Sequence, residues 1–282
     1  MPSTSKPSQS GRIGVFDSGY GGLTVLKEIV SLMPEYNYLY LGDNARAPYG
    51  TRSFECVYQF TLQAVKYLFA QGCPLVILAC NTASAKALRT IQQRDLPKID
   101  PTRRVLGVIR PTVERIGEIS QNGHIGIFAT PGTVASRSYE MEIGKLYQKF
   151  TTTSLACPMW VSLVENRESD TPGAEYFIKR DVDRIFDMRN DIDTLLLACT
   201  HYPILFNKIE AAVAGRAQII SQGSIVARSL RDYLRRHHEM DIRLSRGGSV
   251  EYLTTEHPNK FNDLASVFLS HPIAANHVEL ED

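Results

Sequence analysis

An apolar run that closes on a cysteine occurs twice in this chain. The two copies are Leu75-Val76-Ile77-Leu78-Ala79-Cys80-Asn81-Thr82 and Leu195-Leu196-Leu197-Ala198-Cys199-Thr200-His201. An unbroken aliphatic run of this length, bounded by polar residues, fits a strand buried on both faces, as in a parallel sheet. Each run passes at once into small polar residues and a helix-like stretch, Ala83–Leu88 in one copy and Tyr202–Ile209 in the other. Such a junction puts the thiol at the carboxyl edge of the sheet, where open α/β folds bind their ligands. The two cysteines lie 119 residues apart, close to one α/β domain. This spacing predicts a pseudo-duplicated pair of lobes, each delivering one thiol to a common substrate.

The rest of the chain keeps a strand–loop–helix rhythm. Further strands are predicted over residues 12–16, 36–41, 105–109, 124–129, 150–156, 218–221 and 251–255. Helices are predicted over 21–33, 53–71, 174–188 and 225–236, with another ending at 119. The alternation specifies doubly wound α/β lobes with mainly parallel sheets and helices on both faces, and 282 residues accommodate two of them. Two strand-end loops stand out: Asp17-Ser18-Gly19-Tyr20-Gly21-Gly22, and the irregular segment from Gly42 to Gly50. The first lacks the lysine of a phosphate loop and the full GxGxxG pattern, so it gives little support to a nucleotide site.

Charge and cysteine usage narrow the class. A formal net charge of +1 gives no reason to expect nucleic acid or an acidic membrane as partner. The basic run Arg235-Arg236-His237-His238 reads as the solvated end of a helix. No apolar run approaches the ~18 residues of a membrane span. Residues 1–11, rich in Ser, Pro and Lys, read as a disordered leader rather than an export signal. Five scattered cysteines do not form a disulfide framework, and no Cys/His spacing suggests a metal. The expectation is a cytoplasmic enzyme with free thiols.

A thiol must become thiolate to act as a base, and its ordinary pKa near ~8.5 leaves little thiolate at neutrality. A helix start favours the anion, and Asn81, Thr82 and Thr200 are suitable N-cap residues. His201 stands two residues from Cys199. Asp17 ends the first strand and could reach Cys80 across converging strand ends. Blander readings stand beside these: a core cysteine, an Asx turn at Asp17, a helix-capping His201 and a turn-forming Asp43. Cys56, Cys73 and Cys157 lack such surroundings and are read as structural. Two thiols with no metal or nucleotide site suit inversion of a carbon acid, one group taking a proton as the other returns one. A cysteine hydrolase or decarboxylase using one thiol, or a non-catalytic binder on the same scaffold, are the alternatives.

Several segments resemble the signatures of cofactor-independent glutamate racemases. These are Asp17-Ser18-Gly19-x-Gly21-Gly22-Leu23-Thr24-Val25, Leu41-Gly42-Asp43-x-Ala45-Arg46-x-Pro48-Tyr49-Gly50, Ala79-Cys80-Asn81-Thr82-Ala83-Ser84-Ala85 and Ala198-Cys199-Thr200-His201-Tyr202-Pro203. Thr130-Pro131-Gly132-Thr133-Val134 and the segment from Cys157-Pro158 to Glu165 are similar to two weaker family segments. Aspartate racemases share the two-cysteine plan but typically carry Thr-Glu after the second cysteine, so Thr200-His201 favours glutamate. The resemblance implies that Cys80 takes the α-proton of the D isomer and Cys199 that of the L isomer, with Asp17 and His201 assisting. It implies that Asp17, Ser18, Tyr49, Gly50, Asn81, Thr82, Thr200 and His201 hold glutamate, with Thr130 and Thr133 as additions and Asp43 and Glu165 near the site. It implies no cofactor and no metal, a supply of D-glutamate to peptidoglycan, and a homodimer. The implied fold is two flavodoxin-like domains facing each other across the site, the first from residues 12–103 plus 217–282 and the second from 104–216. This chain departs from the family pattern at Asn44, at Trp160, and at Ser221-Gln222-Gly223-Ser224, where an Asp-Ser or Asp-Pro turn is usual.

Overall fold

The computed structural model describes residues 11–281. The expected leader lies outside them except for Gly11, which is buried and held at both ends. Its N–H donates to the Gly72 carbonyl and its own carbonyl accepts from Ser245.

Ten strands among the described residues form two sheets. β1 (Ile13–Asp17), β2 (Tyr38–Gly42), β3 (Leu75–Leu78) and β4 (Arg104–Gly107) join the late strands β9 (Val250–Thr254) and β10 (Ala275–His277) in the order β10-β9-β2-β1-β3-β4. β5 (His124–Ala129), β6 (Thr151–Ala156), β7 (Thr194–Ala198) and β8 (Gln218–Ile220) form the second sheet, in the order β6-β5-β7-β8. All these pairings are parallel.

The apolar runs have the burial their composition calls for. Leu75 and Ile77 face one apolar cluster with Leu26 and Tyr40, while Val76 and Leu78 face another with Val57 and Val65. In β7, Leu195 and Leu197 join the first cluster and Leu196 packs beside Ile127 on the other face. A strand covered on both sides favours apolar residues throughout, with polar ones confined to its ends, as at Asp17 and Thr194. The first cluster also unites the lobes, running from Val15 and Tyr40 through to Trp160 and Tyr202.

The two sheets repeat one plan. β2-β1-β3-β4 and β6-β5-β7-β8 have the same order, each reversing beside its first strand. A doubly wound sheet leaves its ligand crevice at that reversal. Asp17 closes β1 and Cys80 follows β3; Thr130 follows β5 and Cys199 follows β7. The duplication first suggested by two cysteine segments is therefore a duplication of strand order.

The expected strands and helices form with ends displaced by two residues at most, except that the stretch from Tyr202 is a 3-10 turn to Leu205 followed by a helix over Phe206–Val213. Strand pairing places the crossovers between sheets after Gly107 and after Ile220, because β4 pairs with β3 and β8 with β7. Both lie later than the boundaries at 104 and 217 expected from sequence, where hydrogen-bonded edges leave no compositional mark. The segment beyond Gly247, which carries no motif, supplies β9, β10 and the helix Pro258–Leu269. Phe261, Ala265 and Phe268 form the buried stripe of that helix, and Tyr20 stacks on both phenylalanines. No helix among the described residues is long and apolar enough to cross a membrane.

Candidate active site

Cys80 lies two residues past the end of β3 and is itself the N-cap of the short helix Asn81–Lys86. Its Sγ accepts from the Ala83 N–H at 3.4 Å and donates to Ser18 Oγ at 3.4 Å. The thiol thus takes the capping place expected of Asn81 or Thr82. An N–H aimed at sulfur favours the thiolate, but burial outweighs it. Burial first, and then the nearby Asp17 charge, push the Cys80 thiol up to about 12. Asp17 is fully buried; its Oδ2 accepts from the Gly19 N–H at 2.9 Å, while Oδ1 has no partner. Burial raises the Asp17 pKa above the ordinary carboxylate range, and the charge of His201 opposes that rise.

Cys199 follows β7 directly and has different company. Its Sγ lies 4.0 Å from His201 Nδ1, and His201 Nε2 meets Glu165 Oε1 at 2.9 Å. Phe268 holds the imidazole edge-on, with ring centroids 5.5 Å apart. Burial works against a charged ring, but hydrogen bonds to Cys199 and Glu165 and their charges overcome it, raising His201 to about 10. The two partners therefore favour the protonated ring, which stands between a sulfur and a carboxylate. Thr200 does not cap the following turn. Its carbonyl accepts from Thr24 Oγ1 at 3.0 Å, tying the second lobe to the first helix of the first.

Both sulfurs line one cavity of about 210 Å³. Its wall includes Ser18, Tyr49, Gly50, Asn81, Thr82, Thr130, Glu165, Thr200 and His201. Three residues expected at the site stand behind the wall instead. Asp17 braces the turn after β1. Asp43 is buried and gathers Arg46, Thr255 and the Tyr49 hydroxyl, fixing the loop that presents Tyr49 and Gly50. Thr133 supports Thr82 and Thr130, which bond each other at 2.9 Å. Residues not foreseen as lining the cavity include Cys157, Val161, Ser162 and Asn166. The segment Cys157-Pro158 to Glu165, which follows β6 at the same sheet edge, signalled the first three; Asn166 lies one residue beyond it. The Cys157 thiol faces the Leu155 carbonyl at 3.7 Å, and burial raises its pKa. A larger cavity of about 720 Å³, lined by Lys86, Leu88, Arg110, Glu142 and Tyr233 among others, contains neither Cys80 nor Cys199.

The glycine-rich turn after β1 has a steric reason. A Cβ on Gly21 would sit 2.2 Å from Thr200 Oγ1 and 2.4 Å from His201 Nδ1. The first lobe therefore approaches the second cysteine's own loop at this point, and only a residue without a side chain permits it. Gly50 plays a similar part: its carbonyl accepts from the Gly132 N–H at 2.7 Å, and a Cβ there would strike Thr130 at 2.9 Å.

Two buried thiols brought to one cavity from two sheets, one beside a carboxylate and one beside an imidazolium, are the groups a two-base proton transfer needs. Residues 13–230 match the Asp/Glu/Hydantoin racemase family. The chain belongs to that family. It is 39% identical to a glutamate racemase of Paracoccus denitrificans over 271 residues, covering 93% of this chain and 97% of that one. Its fold is similar to the crystal structure of a glutamate racemase isoform from Bacillus anthracis, with a TM-score of 0.87, 33% identity, and coverage of 96% of this chain and 98% of that one. The glutamate racemase of Francisella tularensis, solved in complex with D-glutamate, matches with a TM-score of 0.83 at 30% identity, covering 97% of this chain and 98% of its own.

Proposed function

We propose that the protein is an isomerase that interconverts L- and D-glutamate by two-cysteine α-proton transfer. The observation that carries this reading is the pair Cys80 and Cys199 on one small cavity, each with a different proton partner. In the L to D direction, the Cys199 sulfur as thiolate takes the α-proton, and the Cys80 thiol delivers its proton to the opposite face of the carbon. The reverse direction exchanges the two roles. The His201 imidazolium favours negative charge on Cys199, and Glu165 holds the ring in place. Asp17, whose burial makes it a stronger base than an exposed carboxylate, accepts the proton that Cys80 must lose to serve as base. Ser18, Thr82, Thr130 and Thr200, with the backbone at Gly50, supply polar groups for the substrate's carboxylates and amine. His201 after Thr200 favours glutamate over aspartate. The proposal extends to a cytoplasmic homodimer that supplies D-glutamate for peptidoglycan.

The test incubates enantiopure L-glutamate in deuterated water with no added pyridoxal phosphate. D-Glutamate carrying α-deuterium is the expected product, with aspartate turned over far more slowly. Absence of D-glutamate across about pH 6 to 10 would sink the proposal.

A further inference from the structure

Gln222 stands in the Ser221–Ser224 segment that departs from the family pattern, and its buried side chain makes three hydrogen bonds beside the site. It lies just after β8, where the chain returns from the second sheet to the first, and is 3% exposed. Asn81 Nδ2 donates to Gln222 Oε1 at 2.7 Å, and Gln222 Nε2 donates to the Tyr139 hydroxyl at 2.6 Å. Tyr139 closes the ring by donating to Asn81 Oδ1 at 2.5 Å. The second Nε2 hydrogen goes to Thr112 Oγ1 at 3.0 Å, and that hydroxyl donates to the Val108 carbonyl at 2.7 Å. Every member of the ring both gives and accepts, so the buried polar cluster is satisfied. Val108 and Thr112 stand where the chain first leaves the six-stranded sheet. Gln222 therefore ties together both crossings between the lobes and the residue that follows Cys80.

We propose that Gln222 is a positioning residue for Cys80, acting through Asn81 and Tyr139 to set where the first lobe's thiol stands relative to the second lobe. Two features make the effect one-sided. Both amide atoms of Asn81 are committed to this ring, and Asn81 opens the helix that Cys80 caps. Cys199 has no hydrogen bond to any member of the ring, and only its charge reaches the Tyr139 hydroxyl; its sulfur meets His201 instead. The proposal rests on the assignment of Cys80 as the D-side base.

The test uses the full-length protein with Gln222→Leu and Tyr139→Phe, read through α-deuterium isotope effects on kcat/KM from each enantiomer. The interconversion of enantiomers has an equilibrium constant of unity, so kcat/KM must fall equally in both directions, by about 10- to 100-fold for a displaced reacting group. The isotope effects are free to diverge. Raising the barrier at Cys80 increases the effect measured with deuterated D-glutamate, where Cys80 breaks the labelled bond. It decreases the effect measured with deuterated L-glutamate, where Cys199 does. Both variants should show this split, and the double variant should lose less than the product of the two single losses. Loss of folded protein alone would lower the rate and leave both isotope effects as they were, and that result would overturn the proposal. A split in the opposite sense would overturn it as well. Racemisation by the unsubstituted protein is measured in the same series, so failure of the racemase reading shows separately.

Discussion

The two cysteine sites stand on the same strand order but prepare their thiols in opposite ways. Cys80 sits beside a buried carboxylate and a serine hydroxyl and is held as the neutral thiol, pushed up to about 12. Cys199 sits beside an imidazolium that Glu165 anchors. One sulfur thus faces a carboxylate and a hydroxyl, and the other an imidazole backed by a carboxylate. The difference lies in neighbours contributed by distant segments rather than in the strands. Asp17 comes from the end of β1, Glu165 from the helix Pro158–Glu165, and Phe268 from the C-terminal helix. A duplicated scaffold thus delivers two like groups with unlike partners, as the proposed transfer at opposite faces of one chiral carbon requires.

The contact between lobes offers the largest perturbation of this arrangement. Gly21→Ala places a methyl group into Thr200 and His201, so the second site must shift while β1 and Cys80 keep their own support. The expected loss in kcat/KM is about 100-fold, or ~2.7 kcal/mol of transition-state stabilisation. Gly144→Ala is the matched control, since nothing lies within 4 Å of a Cβ there. Equal activity in the two variants would show that the close approach at Gly21 is irrelevant.

A smaller and more selective effect is expected from Glu165→Gln. The His201 pKa is raised from 6.5 to about 10, so the stabilisation it brings is complete below about pH 6.5 and is lost as pH rises through about 10. Removing the carboxylate lowers that pKa. The alkaline fall in kcat/KM should move to lower pH, activity near pH 8 should drop roughly tenfold, and the decline of melting temperature between about pH 6.5 and 10 should flatten. An alkaline limb that stays in place would separate Glu165 from the chemistry of Cys199.

Much of this molecule was legible from residue pattern. Runs such as Leu195-Leu196-Leu197 are apolar at every position because the sheet is covered on both faces, so strand, burial and thiol placement follow together. The polar partners were harder to read. Asn81 looked like a helix cap, but Cys80 caps the helix and Asn81 turns to Gln222 and Tyr139. Asp43 looked like a turn or a site residue, yet it braces Tyr49 from behind. Each partner is 58 or more residues from Asn81, a separation over which local periodicity carries no information. The C-terminal helix escaped notice for the same reason: its apolar stripe gains meaning only from Tyr20 and His201, which it covers.

The division of labour between the two thiols is tested most directly by following α-hydrogen exchange in deuterated water with Cys80→Ala and Cys199→Ala. Neither variant should racemise glutamate. Cys199→Ala should exchange the α-hydrogen of D-glutamate alone, with retention, and Cys80→Ala that of L-glutamate alone. A variant that still inverts glutamate at near-normal rate, or that exchanges both enantiomers equally, would contradict two opposed, separately prepared cysteines.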